Sequence, residues 1–300
     1  MRSPDPGRRA AGFTLIELVA VMVIGAILST VIWRNIATPL RGYADVQRRA
    51  ELVATARLAA ERITRELRLA LPNSVRVNAD GSALEVLQTA GIGRYREQAD
   101  PGDPARDVLD LTRTDDSFDV LGPWPLPATV AAGAGGVGAC MKGEGDCIAI
   151  YNTGNPQDCA AQPPGTRTNA WCGDNLAQIT KIDAASGVLV VNRSDLGNAW
   201  PTGSPAQRFY VVDGPVSYLC RGGELLRYAS YPMEAVQPEP PPGDGAPLAT
   251  RITGCNFSYE PGSATRAGLV LIRVTVADVN LDGDTEPLTV LEQVHIPNSP

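Results

Sequence analysis

The chain reads as an α+β protein: a long N-terminal helix, membrane-spanning in its first part and amphipathic in its second, packed on an antiparallel β-sheet head. Three observations predict this. Residues 13–33, "FTLIELVAVMVIGAILSTVIW", form an apolar run with a single charge, Glu17, and as a helix it is about 31 Å long, enough to cross a hydrocarbon core. The residues after it keep a helical spacing of apolar positions to about residue 71. Beyond residue 72, short strand-like runs alternate with turn residues, in keeping with 30 glycines and 25 prolines.

The order along the chain is a leader (1–12), a membrane helix (13–34), an amphipathic continuation (35–71) and a β-rich, disulfide-containing head (72–300). The leader "MRSPDPGRRAAG" carries Arg2, Arg8 and Arg9. A secretory signal also begins with basic residues and an apolar stretch, but it lacks an internal acid and ends in a small-residue cleavage site. A charge near the centre of a membrane helix costs roughly 2.5–3.5 kcal/mol on insertion scales, so Glu17 calls for a function. Arginines flank the span on both sides, Arg34, Arg41, Arg48 and Arg49 following it, so the positive-inside rule does not orient it. The six cysteines do: all lie in the second half, and disulfides require an oxidising compartment outside the cytoplasm.

Past the span, Pro39 removes a backbone donor, which predicts a kink or short break near Asn35–Pro39. Then Val46, Ala50, Val53, Ala56, Ala60, Ile63, Leu67 and Ala70 recur at steps of three and four, one face of an amphipathic helix. Arg57–Glu61, Glu61–Arg65 and Arg62–Glu66 stand four apart on the other face. "ALPNS" ends the helix, Pro72 disfavouring it at Leu71 and Asn73 suiting a turn.

"GFTLIE" after a short basic leader resembles the prepilin signature of type IV pilins and type II secretion pseudopilins. The resemblance implies a type IV pilin-like fold and a cut between Gly12 and Phe13 by a prepilin peptidase, which also N-methylates the new terminus. Glu17 becomes an assembly residue: its carboxylate meets the Phe13 ammonium of a neighbouring subunit, where low dielectric makes the pairing matter far more than in water. The helix dipole also favours an anion in the first turn. "RELRLALPNSVRV", "FYVVDGPVSYLC", "LLRYASY" and "LTVLEQVHIPN" narrow the resemblance to the MshO proteins of mannose-sensitive haemagglutinin (MSHA) pilus biogenesis. That implies a minor pilin, first in the inner membrane with its head in the periplasm, then in the filament. Its partners would be other pilin subunits, the peptidase and the inner-membrane assembly platform with its ATPase. A type II secretion minor pseudopilin is the alternative within this class, and a tip adhesin that grips a surface glycan is another. A nucleic-acid partner is not expected from a chain of net charge -7.

In the head, "SVRV", "LEVLQ", "CIAIYN", "VLVVN", "RFYVVDGPVSYLC", "ELLRYAS", "GLVLIRVTVAD" and "LTVLEQVHI" read as strands of one antiparallel sheet laid on the helical stripe. "DAASG" reads as a hairpin connection, and residues 122–139 and 238–247 as loops. Six cysteines allow fifteen pairings; joining neighbours gives Cys140–Cys147, Cys159–Cys172 and Cys220–Cys255.

No enzyme is expected. The lone histidine, His295, alternates onto the outward side of its strand, opposite Val290, Val294 and Ile296. "GAGGVG" (133–138) imitates a nucleotide loop but follows a proline-rich loop, and no convincing helix follows it. Trp124, Trp171 and Trp200 could stack on sugars, although scattered aromatics more often belong to a core. "ADVNLDGDTEP" alternates Asp278, Asn280, Asp282, Asp284 and Glu286 around Gly283, similar to the start of a calcium loop. Thr289 stands where such a loop needs its bidentate glutamate, and an ordinary hairpin around Asp282–Gly283 is the competing reading. No cofactor is required; calcium is the one candidate.

Overall fold

The computed structural model describes residues 12, 14–112, 115–154, 159, 167–197, 199–262, 266–280 and 282–296. Residues 1–11 and Phe13, on which the expected leader and cut fall, lie outside them. The chain divides into two compact units: Met1–Glu51 with Val279–Asp284, and Leu52–Asp278 with Thr285–Pro300.

Helix α1 runs from Leu15 to Arg68 as 54 residues, about 80 Å at 1.5 Å per residue. It continues through Pro39, where a break was expected. Proline withholds one N–H, but the turns on both sides keep their own bonds, and Asn35 Nδ2 donates to Val31 O at 2.8 Å.

In the second unit α1 buries Leu52, Ala56, Ala59, Ala60, Ile63 and Leu67. Val46 and Ala50, assigned to the stripe by spacing, are exposed; an apolar face is buried only where a partner covers it. The helix stops at Arg68, short of the expected residue 71, as Leu69, Ala70 and Leu71 turn toward the sheet: Ala70 bridges Gln88, and Leu71 N donates to Leu87 O at 2.8 Å. Asn73 then takes φ +59°, a left-handed conformation that asparagine tolerates. Its side-chain amide donates to Asn152 O, and that of Asn152 returns a bond to Pro72 O.

The strands are β1 (Arg76–Val77), β2 (Ala83–Arg94), β3 (Ser117–Asp119), β4 (Cys147–Ala149), β5 (Leu176–Asp183), β6 (Val188–Asn192), β7 (Arg208–Arg221), β8 (Glu224–Ala229), β9 (Ala246–Thr250), β10 (Ile252–Glu260), β11 (Gly268–Val279) and β12 (Thr285–Ile296). They form two antiparallel sheets where one was expected. The nine-stranded sheet runs β1-β2-β7-β4-β5-β6-β3, with β8 also on β7 and β9 on β8. The second is β10-β11-β12. Strand β7 explains the branching: its first half pairs β4 and its second half pairs β8, while β2 follows it throughout. Register shifts near Thr89 and at Asp213–Gly214 separate the halves, because a bulge bends a strand and raises its twist.

Ile63 and Leu67 share one core with Leu84, Val86 and Tyr218 of the large sheet and Phe257, Val270, Ile272 and Val274 of the small one. A second core gathers Tyr95, Phe118, Ile148, Ile179, Trp200 and Phe209 toward the β3 margin. A third surrounds Trp171. The hairpin expected at "DAASG" joins β5 to β6, with Gly187 at φ +78°. Against expectation, "GAGGVG" leads into a short helix, α2 (Val137–Met141), capped by Gly136. Too short to show a period of its own, it is fixed by contacts distant in sequence.

Candidate functional site

The start of α1 is the first candidate. Gly12 is exposed and non-helical, and Thr14 occupies the position before the first helical residue. Glu17 N donates to Thr14 Oγ1 at 3.4 Å, and Thr14 N donates back to Glu17 Oε2 at 3.4 Å. This reciprocal pattern is a capping box, in which two otherwise unpaired helix-terminal N–H groups find side-chain acceptors. The spacing Thr-x-x-Glu within "TLIE" carries that signal, and the sequence reading missed it. Thus Glu17 has a task within its own chain, and its second carboxylate oxygen can accept an ammonium.

Downstream, Leu15, Ile16, Met22, Ile24, Ile27 and Ile32 expose about half or more of their surfaces, and Trp33 exposes 74%. Ser29 and Thr30 return their hydroxyls to Gly25 and Ile27 carbonyls at 2.7 Å, which removes polarity from the face they share with these apolar residues. By length and composition this stretch of helix can cross a membrane.

The cysteines form Cys140–Cys147, Cys159–Cys172 and Cys220–Cys255. The first joins α2 to β4. The last joins β7 of the large sheet to β10 of the small one, so covalent linkage spans the two sheets.

Two polar clusters secure the second unit. Glu66 of α1 receives the Tyr218 hydroxyl, Arg227 Nε at 2.8 and 3.1 Å, and Arg62 Nε at 3.2 Å. Burial opposes its ionisation, yet the bonds from Tyr218 and Arg227 hold its carboxyl below the ordinary value; Tyr218 is raised well above its own by burial and by Glu66. In the other cluster, Glu85 is fully buried, paired with Arg76 and bonded by Tyr231 at 2.7 Å. Burial lifts its carboxyl above the ordinary range even against Arg76. The Arg76 guanidinium lies 3.7 Å from the centre of the Trp171 ring.

The remaining candidates separate. His295 is exposed on β12. Trp171 is fully buried, with Nε1 donating to Ser74 O at 2.8 Å, and Trp200 is 5% exposed under Arg193; neither offers a face to a sugar. Trp124 packs half-buried on the second core. At α2 the N–H groups of Val137 and Gly138 donate to the two Asp195 oxygens at 3.1 and 2.9 Å. A carboxylate of the chain itself therefore fills the place a phosphate would take.

In "ADVNLDGDTEP", Asp278 pairs with Arg251 at 2.6 Å. Asn280 Oδ1 accepts from the N–H groups of Asp282 and Asp284 at 3.0 and 2.8 Å, a hairpin connection with Gly283 at φ +91°. Among the described residues no group of three or more His, Cys, Asp or Glu side chains is placed to hold a metal ion. Two further carboxylates raised by burial, Asp115 and Asp146, accept backbone N–H groups of Asp110 and Ala131, so their perturbation accompanies structural bonds.

Residues 7–33 match the family described as the prokaryotic N-terminal methylation motif. No curated protein and no solved structure matches the chain. The match covers Gly12, Phe13, Glu17 and the apolar stretch to Trp33; it supports a type IV pilin-like or pseudopilin-like protein, and with the apolar helix it is consistent with membrane anchoring.

Proposed function

We propose that this chain is a minor subunit of a type IV pilus of the MSHA type. The observation that carries the reading is the methylation motif over residues 7–33, set on a helix whose first turn holds Glu17 as its one acid. In this reading a prepilin peptidase cuts after Gly12 and methylates Phe13. The protein waits in the inner membrane, head in the periplasm, until the assembly platform adds it to the filament. There Glu17 pairs with the Phe13 ammonium of a neighbour. Two ions that are each costly in lipid become one pair, and removal of either partner leaves the other unpaired, a loss of several kcal/mol.

The capping box provides a way to separate the two tasks of Glu17. Glu17→Gln keeps an oxygen for the Thr14 N–H but loses the charge, whereas Glu17→Ala loses both. The account expects both variants to stay in the membrane fraction and both to be depleted from sheared filaments. Normal incorporation of Glu17→Gln refutes the pairing. A normal pilus together with lost exoprotein secretion, on deletion of the chain, assigns it instead to a type II secretion machine.

A further inference from the structure

The apolar stretch of α1 ends at the exposed Trp33, and the two to three turns after it have a composition of their own. From Arg34 to Ala50 the helix carries four arginines, at 34, 41, 48 and 49, and a single acid, Asp45. The chain as a whole has net charge -7, so this positive collar stands apart from the rest. The one acid is turned to Arg48, whose Nε lies 3.6 Å from Asp45 Oδ1. Arg34 and Arg41 are both exposed. Topology gives these arginines no task, because basic residues stand on both sides of the span.

Helical geometry places them. Arg34 and Arg41 are seven residues apart, which returns to the same line along an α-helix within about 20°. At 1.5 Å per residue, Arg34 lies about 1.5 Å and Arg41 about 12 Å beyond Trp33. A headgroup layer, the difference between a core of about 30 Å and a bilayer of about 40–45 Å, is roughly 5–8 Å deep on each side. Helical side chains tilt toward the helix N-terminus, so Arg41 leans back toward that layer, and its aliphatic stem lets the guanidinium reach it. Trp33, Ile36, Leu40 and Tyr43 follow at steps of three and four, each more than half exposed. They make an apolar line beside the arginines, with aromatic rings at its two ends, as is usual where a helix leaves lipid.

The chemistry on offer is two guanidinium groups at headgroup depth, which bind phosphate oxygens through paired N–H donors, next to an exposed apolar and aromatic line. An anionic phospholipid matches both halves: its phosphate takes the arginines, and its glycerol and upper acyl carbons cover the line. An acidic protein segment matches the charge but leaves the apolar line uncovered. We propose that Arg34 and Arg41 bind the phosphates of anionic phospholipids where α1 leaves the bilayer, with Trp33, Ile36, Leu40 and Tyr43 seated in the headgroup layer beside them. The proposal rests on the reading of α1 as a membrane helix and is independent of the filament.

The full chain can be reconstituted in phosphatidylcholine vesicles that carry a trace of spin-labelled phosphatidylglycerol or spin-labelled phosphatidylcholine. Flotation reports insertion, and electron paramagnetic resonance reports the fraction of each label slowed by the protein. The proposal expects a preference for phosphatidylglycerol of roughly threefold or more, reduced toward none in Arg34→Gln/Arg41→Gln. Arg57→Gln, an exposed position farther along α1, should keep the preference. Equal slowing of the two labels by a chain that floats, or a preference that survives the double substitution, overturns the proposal alone. A salt-sensitive dimer that the double substitution abolishes, without lipid preference, overturns it in favour of a second copy of the chain. A chain that fails to float overturns the membrane reading of α1 and the proposal with it.

Discussion

Replacing Glu66 with alanine tests how the helix is attached to the head strands. Its carboxylate is 16% exposed and receives Arg227 Nε at 2.8 Å as well as the fully buried Tyr218 hydroxyl. A hydrogen bond to a charged group contributes roughly 1.5–3 kcal/mol, and a buried donor left unsatisfied costs about 1–3 kcal/mol. Arg62, half exposed, adds little. Allowing for the partial exposure of Arg227, Glu66→Ala should cost about 3 kcal/mol. In a double-mutant cycle with Arg227→Met, a coupling of about 1 kcal/mol should remain. Because the folded-state pKa of Glu66 is lowered, its contribution is fully present above the unfolded value near 4.3 and is lost as pH falls through the folded value. The gap between wild type and Glu66→Ala should therefore close in acid. Urea denaturation of the full chain in detergent, followed by fluorescence of the buried Trp171 and Trp200, measures all of this. Zero coupling, or a gap that widens below pH 4, would refute the reasoning.

The disulfides should rank by the loop each closes. Cys220 and Cys255, separated by 35 residues, should give about 4 kcal/mol, against about 2.5 kcal/mol for Cys140 and Cys147, separated by 7; paired serine variants and the same denaturation read the order. Millimolar calcium should leave the melting temperature unchanged, since Asp278 and Asn280 are already engaged by Arg251 and the turn; a clear rise would favour a calcium loop over the plain hairpin. Asp195→Ala should destabilise the chain by about 1–2 kcal/mol by uncapping α2, and a nucleotide should not restore the loss, as thermal shift would show.

The parts legible in sequence were those with a local cause. The apolar run, the small-residue face from Ala56 to Leu67, and strands such as β7 and β11, rich in β-branched residues, follow from periodicity. What escaped was set by distant partners. Strand β5, "LAQITKID", buries Gln178 in its interior, so it lacks the alternation that marks a strand. β9 contains Pro247, which demotes a strand reading although an edge strand such as β9 can hold it. β3 has three residues, too few for any pattern. The division into two sheets depends on which strands β7 accepts along each half, and pairing is not written in a single strand. The same holds for the site. "TLIE" showed its acid at once but not the cap that occupies it, and the Glu66 cluster joins α1 to Tyr218 and Arg227 of β7 and β8, which no local motif connects.

The most direct test is the N-terminal mass of the protein recovered from cells with an active prepilin peptidase. The account predicts a chain that begins at N-methylated Phe13, with Glu17 four residues beyond it. A mature chain that begins at Met1, or at a position past the apolar helix, would contradict it.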